Sequence, residues 1–341
     1  MQHDALSLTS GFSAHDPCYA MPSEFDLIRR YFTHPARSAD MAVGDDAALF
    51  RTAPDVQLAV TTDTLAAGTH FFHDTPPHDL GWKTLAVNLS DLAAMGATPR
   101  WATLALTLPA VDEGWVAAFA KGFFDCAGRY GMELVGGDTT RGPLAMTVTL
   151  FGEVPMGQAI TRAGGLPGDD LWVSGWPGLA ALGLMSLQNR VKLVDADSAL
   201  AALHRPMPRV EAGEALRGIA HAMIDVSDGL AGDLAHLCER SKLGALLDMG
   251  ALPLAPLIAT GVDESLARQA LLAGGDDYEL LFSAPPQARD VLAALARTLD
   301  LPFTRIGQFT EKAGTILLAD GPKVPLRPLD VRGYDHFALP G

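Results

Sequence analysis

The turn-rich stretch Arg162-Ala-Gly-Gly-Leu-Pro-Gly-Asp169 interrupts a chain whose other segments alternate between strand-like and helix-like patterns. Glycine and proline at this density end regular structure, so the stretch marks a boundary between two domains. Both patterns occur on each side of it. The sequence therefore predicts an α+β protein of two mixed α/β domains, over residues 22–158 and 159–341. Residues 1–21 are expected to form a loosely ordered N-terminal extension.

The hydrophobic periodicity assigns individual segments within each half. Ser23 is a predicted N-cap for a helix that begins at Glu24, because Asp26 follows at the spacing of a capping box. The first half has predicted strands over 47–50, 57–62, 101–108, 132–135 and 144–153, and helices over 78–95 and 112–129. The second half has predicted strands over 171–174, 223–226, 244–247, 278–282, 303–307 and 315–318, and helices over 178–188, 209–220, 229–240, 263–272 and 286–299.

Composition excludes several classes of protein. With 40 acidic residues against 25 lysines and arginines, the formal net charge is −15, which would repel a nucleic-acid backbone. No apolar run is long enough to span a bilayer, and the N-terminus lacks the pattern of a signal peptide. The three cysteines lie far apart, so neither a disulfide framework nor a zinc site is expected. We expect a cytoplasmic protein that binds neither nucleic acid nor membranes.

Several familiar catalytic and nucleotide-binding motifs are missing from the sequence. There is no P-loop, no dinucleotide-binding glycine fingerprint, no serine-hydrolase elbow and no His-Glu-x-x-His zinc motif. The segment Gly81-Trp82-Lys83-Thr84 resembles the end of a P-loop. Because it lies within a helical pattern and lacks the glycine loop, it does not predict phosphate binding.

Aspartates recur near the ends of the predicted elements, mostly beside glycine, serine or threonine. They occur in Gly44-Asp45-Asp46, Thr61-Thr62-Asp63-Thr64, Ser90-Asp91, Gly136-Gly137-Asp138, Asp225-Val226-Ser227-Asp228-Gly229 and Gly274-Gly275-Asp276-Asp277. Each such pair is also ordinary turn chemistry when taken alone. Carboxylates by themselves would repel a phosphorylated substrate, whereas Mg²⁺ takes carboxylates on one side and phosphates on the other. The recurrence in both halves therefore favours magnesium-dependent phosphate chemistry.

The predicted helix over 78–95 is apolar nearly all round, so it should be buried. Thr84, Asn88 and Asp91 interrupt it at helical spacing and share one face. A buried carboxylate is costly without a partner. Two partners for Asp91 are compatible with the sequence: a metal ion, or a hydrogen bond within the helix to Asn88 or Thr84.

Motifs in a fixed order resemble the thiamine-monophosphate kinase family from about Glu24 to the C-terminus. They are Glu-Phe-Asp-Leu-Ile at 24–28, Gly-Asp-Asp-Ala-Ala at 44–48, Thr-Thr-Asp-Thr-Leu-Ala-Ala-Gly-Thr-His at 61–70, Leu-Ala-Val-Asn-Leu-Ser-Asp-Leu-Ala-Ala-Met-Gly-Ala at 85–97, Gly-Gly-Asp-Thr-Thr-Arg-Gly at 136–142, Ile-Asp-Val-Ser-Asp-Gly-Leu at 224–230, Gly-Gly-Asp-Asp-Tyr-Glu-Leu at 274–280 and Gly-Tyr-Asp-His-Phe at 333–337. Aminoimidazole ribonucleotide synthetases and selenophosphate synthetases share the general layout. The region of His70 and the segment 333–337 favour the thiamine branch.

The resemblance implies the two-domain α+β fold of the aminoimidazole ribonucleotide synthetase-like type, paired through its N-terminal domains in a homodimer, with ATP between the domains. It implies several Mg²⁺ ions, at Asp46, Thr61, Thr62, Asp63, Asp91, Asp138, Asp225 and Asp228. It implies ATP contacts at Gly137, Asp138, Arg162 and Ser227, and thiamine-phosphate contacts at His70, Asp276 and Tyr334. An aromatic face at Tyr334 suits the cationic thiazolium ring.

The implied reaction transfers a phosphoryl group from ATP to thiamine monophosphate. The attacking phosphate oxygen is already ionised near neutral pH, so positioning and metal ions do the catalysis and no general base is expected. Two alternatives are an ATP-dependent synthetase of the same superfamily and a nucleotide- or metal-binding protein without activity.

Two positions depart from the family. Leu179-Ala180 follows Gly178 where an Asp-Ser pair is usual, and Asp276 stands where some relatives have glutamate.

Overall fold

The computed structural model describes residues 22–44, 46–321 and 324–329. The predicted extension over 1–21, the acid Asp45 and the predicted substrate contact Tyr334 lie outside this part of the chain. Helix α1 (Glu24–Leu27) continues directly into a π-helical turn over Ile28–Phe32. The capping box predicted at its start is confirmed, since the Ser23 side chain accepts from the Asp26 amide and the Asp26 side chain accepts in return.

Strands and helices alternate through both halves. The first half contains β1 (Ala39–Met41), β2 (Leu49–Phe50), β3 (Val56–Ala66), α2 (Pro77–Ala94), β4 (Thr98–Leu108), α3 (Glu113–Arg129), β5 (Glu133–Arg141) and β6 (Ala145–Pro155). The second half contains β7 (Asp170–Ser174), α4 (Leu179–Leu187), α5 (Asp197–His204), α6 (Val210–Ala215), β8 (Ala222–Val226), α7 (Leu230–Ser241), β9 (Gly244–Asp248), α8 (Ala255–Ala259), α9 (Glu264–Ala273), β10 (Glu279–Ala284), a 3₁₀ turn (Pro286–Ala288), α10 (Arg289–Thr298), β11 (Phe303–Thr310), β12 (Ile316–Ala319) and β13 (Arg327–Pro328).

The described strands form a sheet in each half and a short pair, β1 with β2. The first sheet has the order β3-β6-β4-β5, and the second has the order β13-β12-β9-β11-β7-β10-β8. Neighbouring strands are antiparallel except β4 with β5 and β9 with β12, which are parallel. This mixture in both halves confirms the predicted α+β class. The predicted domain boundary between 158 and 159 stays a prediction, and it lies in the irregular stretch between β6 and β7.

Helix α2 lies where the two halves meet. Its residues Leu85, Leu89 and Leu92 are at most 1% exposed, which confirms the predicted burial. One side of α2 packs on α3 and on the first sheet, and another contacts α6 and β8 of the second half. The apolar character all round the helix follows from this position, because no side of it faces bulk water.

The second sheet is packed on both faces. Leu280 and Phe282 of β10 belong to the same apolar core as α2, whereas Leu281 lies in a second core with residues of α4, α7 and α9. Side chains alternate between the two faces along a strand, which explains this division. The loop after β8 and the loop before β10 therefore lie close to α2.

Some boundaries differ from prediction. Strand β5 does not stop at residue 135 but continues to Arg141, because its parallel ladder with β4 runs on through Gly137. At Gly137, φ is +152° and an added Cβ would lie 1.9 Å from the carbonyl oxygen of Leu104, so the ladder requires glycine there. The helix predicted over 209–220 was too long, since α6 ends at Ala215. Helix α5 was not predicted.

Candidate active site

Strand β3 and helix α2 bring the first group of predicted ligands together. The Thr61 hydroxyl donates a hydrogen bond to the Asp91 carboxylate. The Asp63 amide donates to the side-chain oxygen of Asn88 at 3.0 Å. The Thr84 hydroxyl donates to a carbonyl of its own helix. Asp91 therefore takes this hydrogen bond from β3, which neither alternative for this side chain had anticipated.

A third carboxylate reaches the same place from the second half. Ser90 donates to Asp225 at the end of β8, with 2.8 Å between the oxygens. Burial and then the adjacent Asp91 raise the pKa of Asp63 to about 7. The same two causes, in the same order, raise the pKa of Asp225 well above its ordinary value. Asp91 therefore repels both Asp63 and Asp225, and a cation beside these carboxylates would relieve that repulsion.

The chemistry of this donor set fits magnesium. Among the described residues, no group of three or more histidine, cysteine, aspartate or glutamate side chains is arranged so that it alone could hold a metal ion. Mg²⁺ keeps several waters and commonly binds one or two carboxylates together with substrate phosphates, so a closed protein cage is not required. Asp63, Asp91 and Asp225 provide hard oxygen donors of this kind.

The turn after β8 places further predicted residues beside these acids. The Asp233 carboxylate of α7 accepts the amides of Ser227 at 3.1 Å and Asp228 at 3.2 Å. Burial, and next the charge of Asp228, raise the pKa of Asp233 to about 7. The positive charge of Arg162 acts in the opposite sense on both Asp225 and Asp233, so this exposed arginine lies close to both acids. Sequence reasoning missed Asp233, although an acid in the first turn of a helix is a recognisable capping signal.

The loop before β10 packs directly on this turn. The Asp276 amide donates to the Ser227 carbonyl at 2.9 Å. An added Cβ at Gly275 would lie 2.3 Å from the same carbonyl oxygen, so only glycine allows the approach. Asp276 and Tyr278 have φ of +68° and +54°, in the left-handed region that such residues rarely adopt. The loop is therefore held in an uncommon conformation next to the acids.

Lys83 of α2 is a site residue that the sequence reasoning set aside. Its ammonium lies 3.0 Å from Oδ2 of Asp276. The Tyr278 hydroxyl donates to Oδ1 of the same carboxylate at 2.9 Å. One sequence signal could have identified it. Lys83 is the single lysine of a largely apolar helix, and it lies two turns before Ser90 on the same face.

The Asp277 carboxylate caps the turn that begins at Gly178, where Leu179-Ala180 stands in place of a polar pair. It accepts the Gly178 amide at 2.7 Å and the Ala180 amide at 3.4 Å, at the start of α4. Burial raises the pKa of Asp277 well above its ordinary value. The turn therefore contributes backbone amides rather than side chains, and Leu179-Ala180 is compatible with that contribution.

Other predicted ligands lie on the opposite face of the first sheet. Along β3, alternation turns Thr62 away from Thr61 and Asp63, and its hydroxyl pairs with that of Thr149 at 2.9 Å. The strand register places Asp138 on this same exposed face. The predicted set is therefore divided between the two sides of the sheet.

Two further predicted positions lie in the segments before β2 and after β3. Asp46 is exposed in the segment before β2. The Nδ1 of His70 accepts the Ala66 amide at 3.0 Å, which holds the ring against the end of β3.

In the described part of the chain, no helix combines the length and apolar character needed to cross a membrane.

Family models match both halves of the chain. Residues 44–154 match the model described as AIR synthase related protein, N-terminal domain. Residues 167–319 match the model described as AIR synthase related protein, C-terminal domain.

Similar proteins cover almost the same length. The thiamine-monophosphate kinase of Escherichia coli (strain K12) is 48% identical over 324 residues, which cover 93% of this chain and 99% of that protein. The crystal structure of thiamine-monophosphate kinase from Stenotrophomonas maltophilia K279a is 47% identical, with a TM-score of 0.78 over 82% of this chain and 91% of that chain. The structure of AaThiL complexed with AMPPCP and TMP is 30% identical, with a TM-score of 0.73 over 84% and 89% of the two chains. The chain therefore belongs to the thiamine-monophosphate kinase family.

Proposed function

We propose that this protein transfers the terminal phosphoryl group of ATP to thiamine monophosphate, yielding ADP and thiamine diphosphate, in the biosynthesis of thiamine diphosphate. The observation that carries the proposal is the meeting of Asp63, Asp91 and Asp225 at the junction of the two halves. AaThiL, a structural relative at 30% identity, is complexed with AMPPCP and TMP, which supports both substrates.

Magnesium ions belong to this proposal as cofactors. Asp63, Asp91 and Asp225 would hold them, together with Thr61 and Asp228. The resemblance adds Asp46, Thr62 and Asp138 as ligands, and the last two lie on the opposite face of the first sheet. When bound, Mg²⁺ offsets the charge that carboxylates and phosphates would otherwise set against each other.

The protein's own groups bind and orient the two substrates. For ATP we propose Gly137, Asp138, Arg162 and Ser227, and Arg162 lies near enough to the acids to lower their pKa values. For thiamine monophosphate we propose His70, Asp276 and Tyr334, the last of which lies outside the described residues. No residue is assigned as a general base, because the attacking phosphate oxygen is ionised near neutral pH. The rate then depends on holding both phosphates in line.

A coupled assay of ADP release with product identification tests this function. With ATP, Mg²⁺ and thiamine monophosphate, we expect ADP and thiamine diphosphate in equal amounts, and chelation of Mg²⁺ should stop both. Omitting thiamine monophosphate is the control and should leave only background ADP release. Turnover with a different small acceptor would favour a synthetase of the same superfamily, and ATP binding without turnover would favour an inactive binding protein.

We also propose that the protein forms a homodimer through its first sheet. On the face shared by Thr62, the β3 side chains of Leu58 and Val60 are 40% and 55% exposed. Apolar side chains on an exposed sheet face are typical of an interface. Light scattering should give about twice the chain mass of 36.0 kDa, and Val60→Asp should shift the mass toward one chain. A wild-type mass of one chain would contradict this arrangement.

A cytoplasmic location is part of the same proposal. Cys126 and Cys238 are free and buried, as expected for a protein that works in a reducing compartment.

A further inference from the structure

Helix α2 directs one buried cation toward the second half of the chain. Lys83 is 4% exposed, and its ammonium lies 3.0 Å from Oδ2 of Asp276. An ammonium at this depth is strongly unfavourable unless it is paired. The pair therefore joins the first half to the loop before β10. Packing of the apolar residues around it does not by itself require a lysine at position 83.

The neighbours of Asp276 in that loop have different partners. Asp277 accepts backbone amides at the start of α4. Glu279 accepts two hydrogen bonds from Arg209 and one from Ser174. These anchors lie in the second half, whereas Asp276 is bound to a helix of the first. Its orientation is thus set across the junction.

We propose that Lys83 is a positioning residue for the acceptor substrate. It holds the Asp276 carboxylate in the orientation that receives thiamine monophosphate, jointly with the Tyr278 hydroxyl on the other carboxylate oxygen. This inference rests on the proposed function, which assigns Asp276 to the acceptor. Two features make such a holder necessary. Asp276 and Tyr278 have positive φ, which costs conformational energy, and the Asp276 side chain is 32% exposed and could otherwise turn toward water.

A purely structural role for Lys83 would have different consequences. Loss of packing at the junction would change stability, and would affect both substrates together since both are proposed to bind there. A positioning role acts through Asp276 and so affects the acceptor selectively. The two Michaelis constants therefore distinguish these roles.

The test compares Lys83→Met with Lys121→Met in the full-length protein. Methionine keeps an unbranched side chain and removes the charge. Lys121 is the matched control, because it also pairs with an aspartate, Asp125, but its side chain is 68% exposed. For Lys83→Met we expect the KM for thiamine monophosphate to rise at least about tenfold and the KM for ATP to stay within about twofold. The control should leave both constants unchanged.

Hydrogen–deuterium exchange gives a readout that does not depend on activity. The amides of Asp276 and Tyr278 donate to carbonyls at the end of β8, so they should exchange more slowly in the wild type than in Lys83→Met. Unchanged exchange in Lys83→Met would overturn the holding role.

A double variant tests whether the two residues act together. Asp276→Asn should raise the acceptor KM less in the Lys83→Met background than in the wild type, since both substitutions act through one carboxylate.

Tyr278→Phe keeps the inference testable if Lys83→Met does not fold. It removes only the hydroxyl donor to Asp276, and it should raise the acceptor KM about two- to fivefold with little change for ATP. A wild type without turnover of thiamine monophosphate would reject the proposed function. If the wild type is active but the variants leave the acceptor KM unchanged, or raise the KM of both substrates equally, the role of Lys83 is rejected and the proposed function stands.

Discussion

Replacing Asp63 or Asp91 with asparagine should lower turnover at least about a hundredfold while the protein stays folded. Asparagine keeps the size of the side chain but removes the negative charge that a magnesium ion requires. The charge of Asp91 acts on both Asp63 and Asp225, so its loss should affect the whole group. The assay is steady-state turnover at saturating ATP and thiamine monophosphate, with circular dichroism to verify the fold. Turnover within about threefold of the wild type in both variants would exclude this group as the catalytic centre.

Asp63→Asn should also change the pH dependence of stability in a defined direction. The pKa of Asp63 is raised from 3.8 to about 7, so the folded state binds more protons than the unfolded state between these values. Without Mg²⁺, the free energy of unfolding should therefore fall as the pH rises from about 4 to about 7. Asp63→Asn should flatten this fall and raise stability at pH 8 by on the order of 1–2 kcal/mol, a value reduced for partial solvent exposure. The exposed Asp55→Asn is the control and should leave the slope unchanged.

Replacing Arg209 with alanine should give the largest loss of stability, about 3–5 kcal/mol, because it leaves a buried carboxylate unpaired. Glu279 is 5% exposed, and its oxygens accept from Arg209 at 2.7 and 2.5 Å and from the Ser174 hydroxyl at 2.5 Å. Alanine would remove two of these donors together with the balancing charge. Urea unfolding at pH 7 measures the change.

An exposed ion pair provides the comparison for Arg209. Arg51 pairs with Asp40, but its side chain is 85% exposed, so Arg51→Ala should cost less than about 1 kcal/mol. Glu279→Gln combined with Arg209→Met should recover part of the stability lost in Arg209→Ala, because the buried charge is then absent. A loss below about 1 kcal/mol in Arg209→Ala would show that Glu279 is not energetically dependent on its partner.

Long elements with a continuous apolar pattern were predictable from sequence. Helix α2 was placed within one residue at each end, because apolar residues recur along nearly all of it and Gly96 follows it. The sequence also singled out Asp63, Asp91 and Asp225 as candidate site residues, since these acids stand in motifs that contain glycine, serine or threonine. Local patterns of this kind depend only on neighbouring residues, so they can be recognised without knowledge of the fold.

Contacts between residues far apart in the chain were not predictable. The pairing of Lys83 with Asp276 joins residues far apart in the chain, and Asp277 recognises backbone amides that have no sequence signature. Likewise, the pleat of the first sheet, rather than any motif, separates Thr62 from Asp63.

The sequence by itself thus determined the family and the class of fold, and it supplied the acids of the candidate site. The tertiary structure alone decided which acids share a charge environment, which amides and cations hold them, and which face of the sheet each one occupies. The physical reason is that local patterning encodes secondary structure and burial. Electrostatic coupling, in contrast, depends on distances that exist only after the two halves pack around α2.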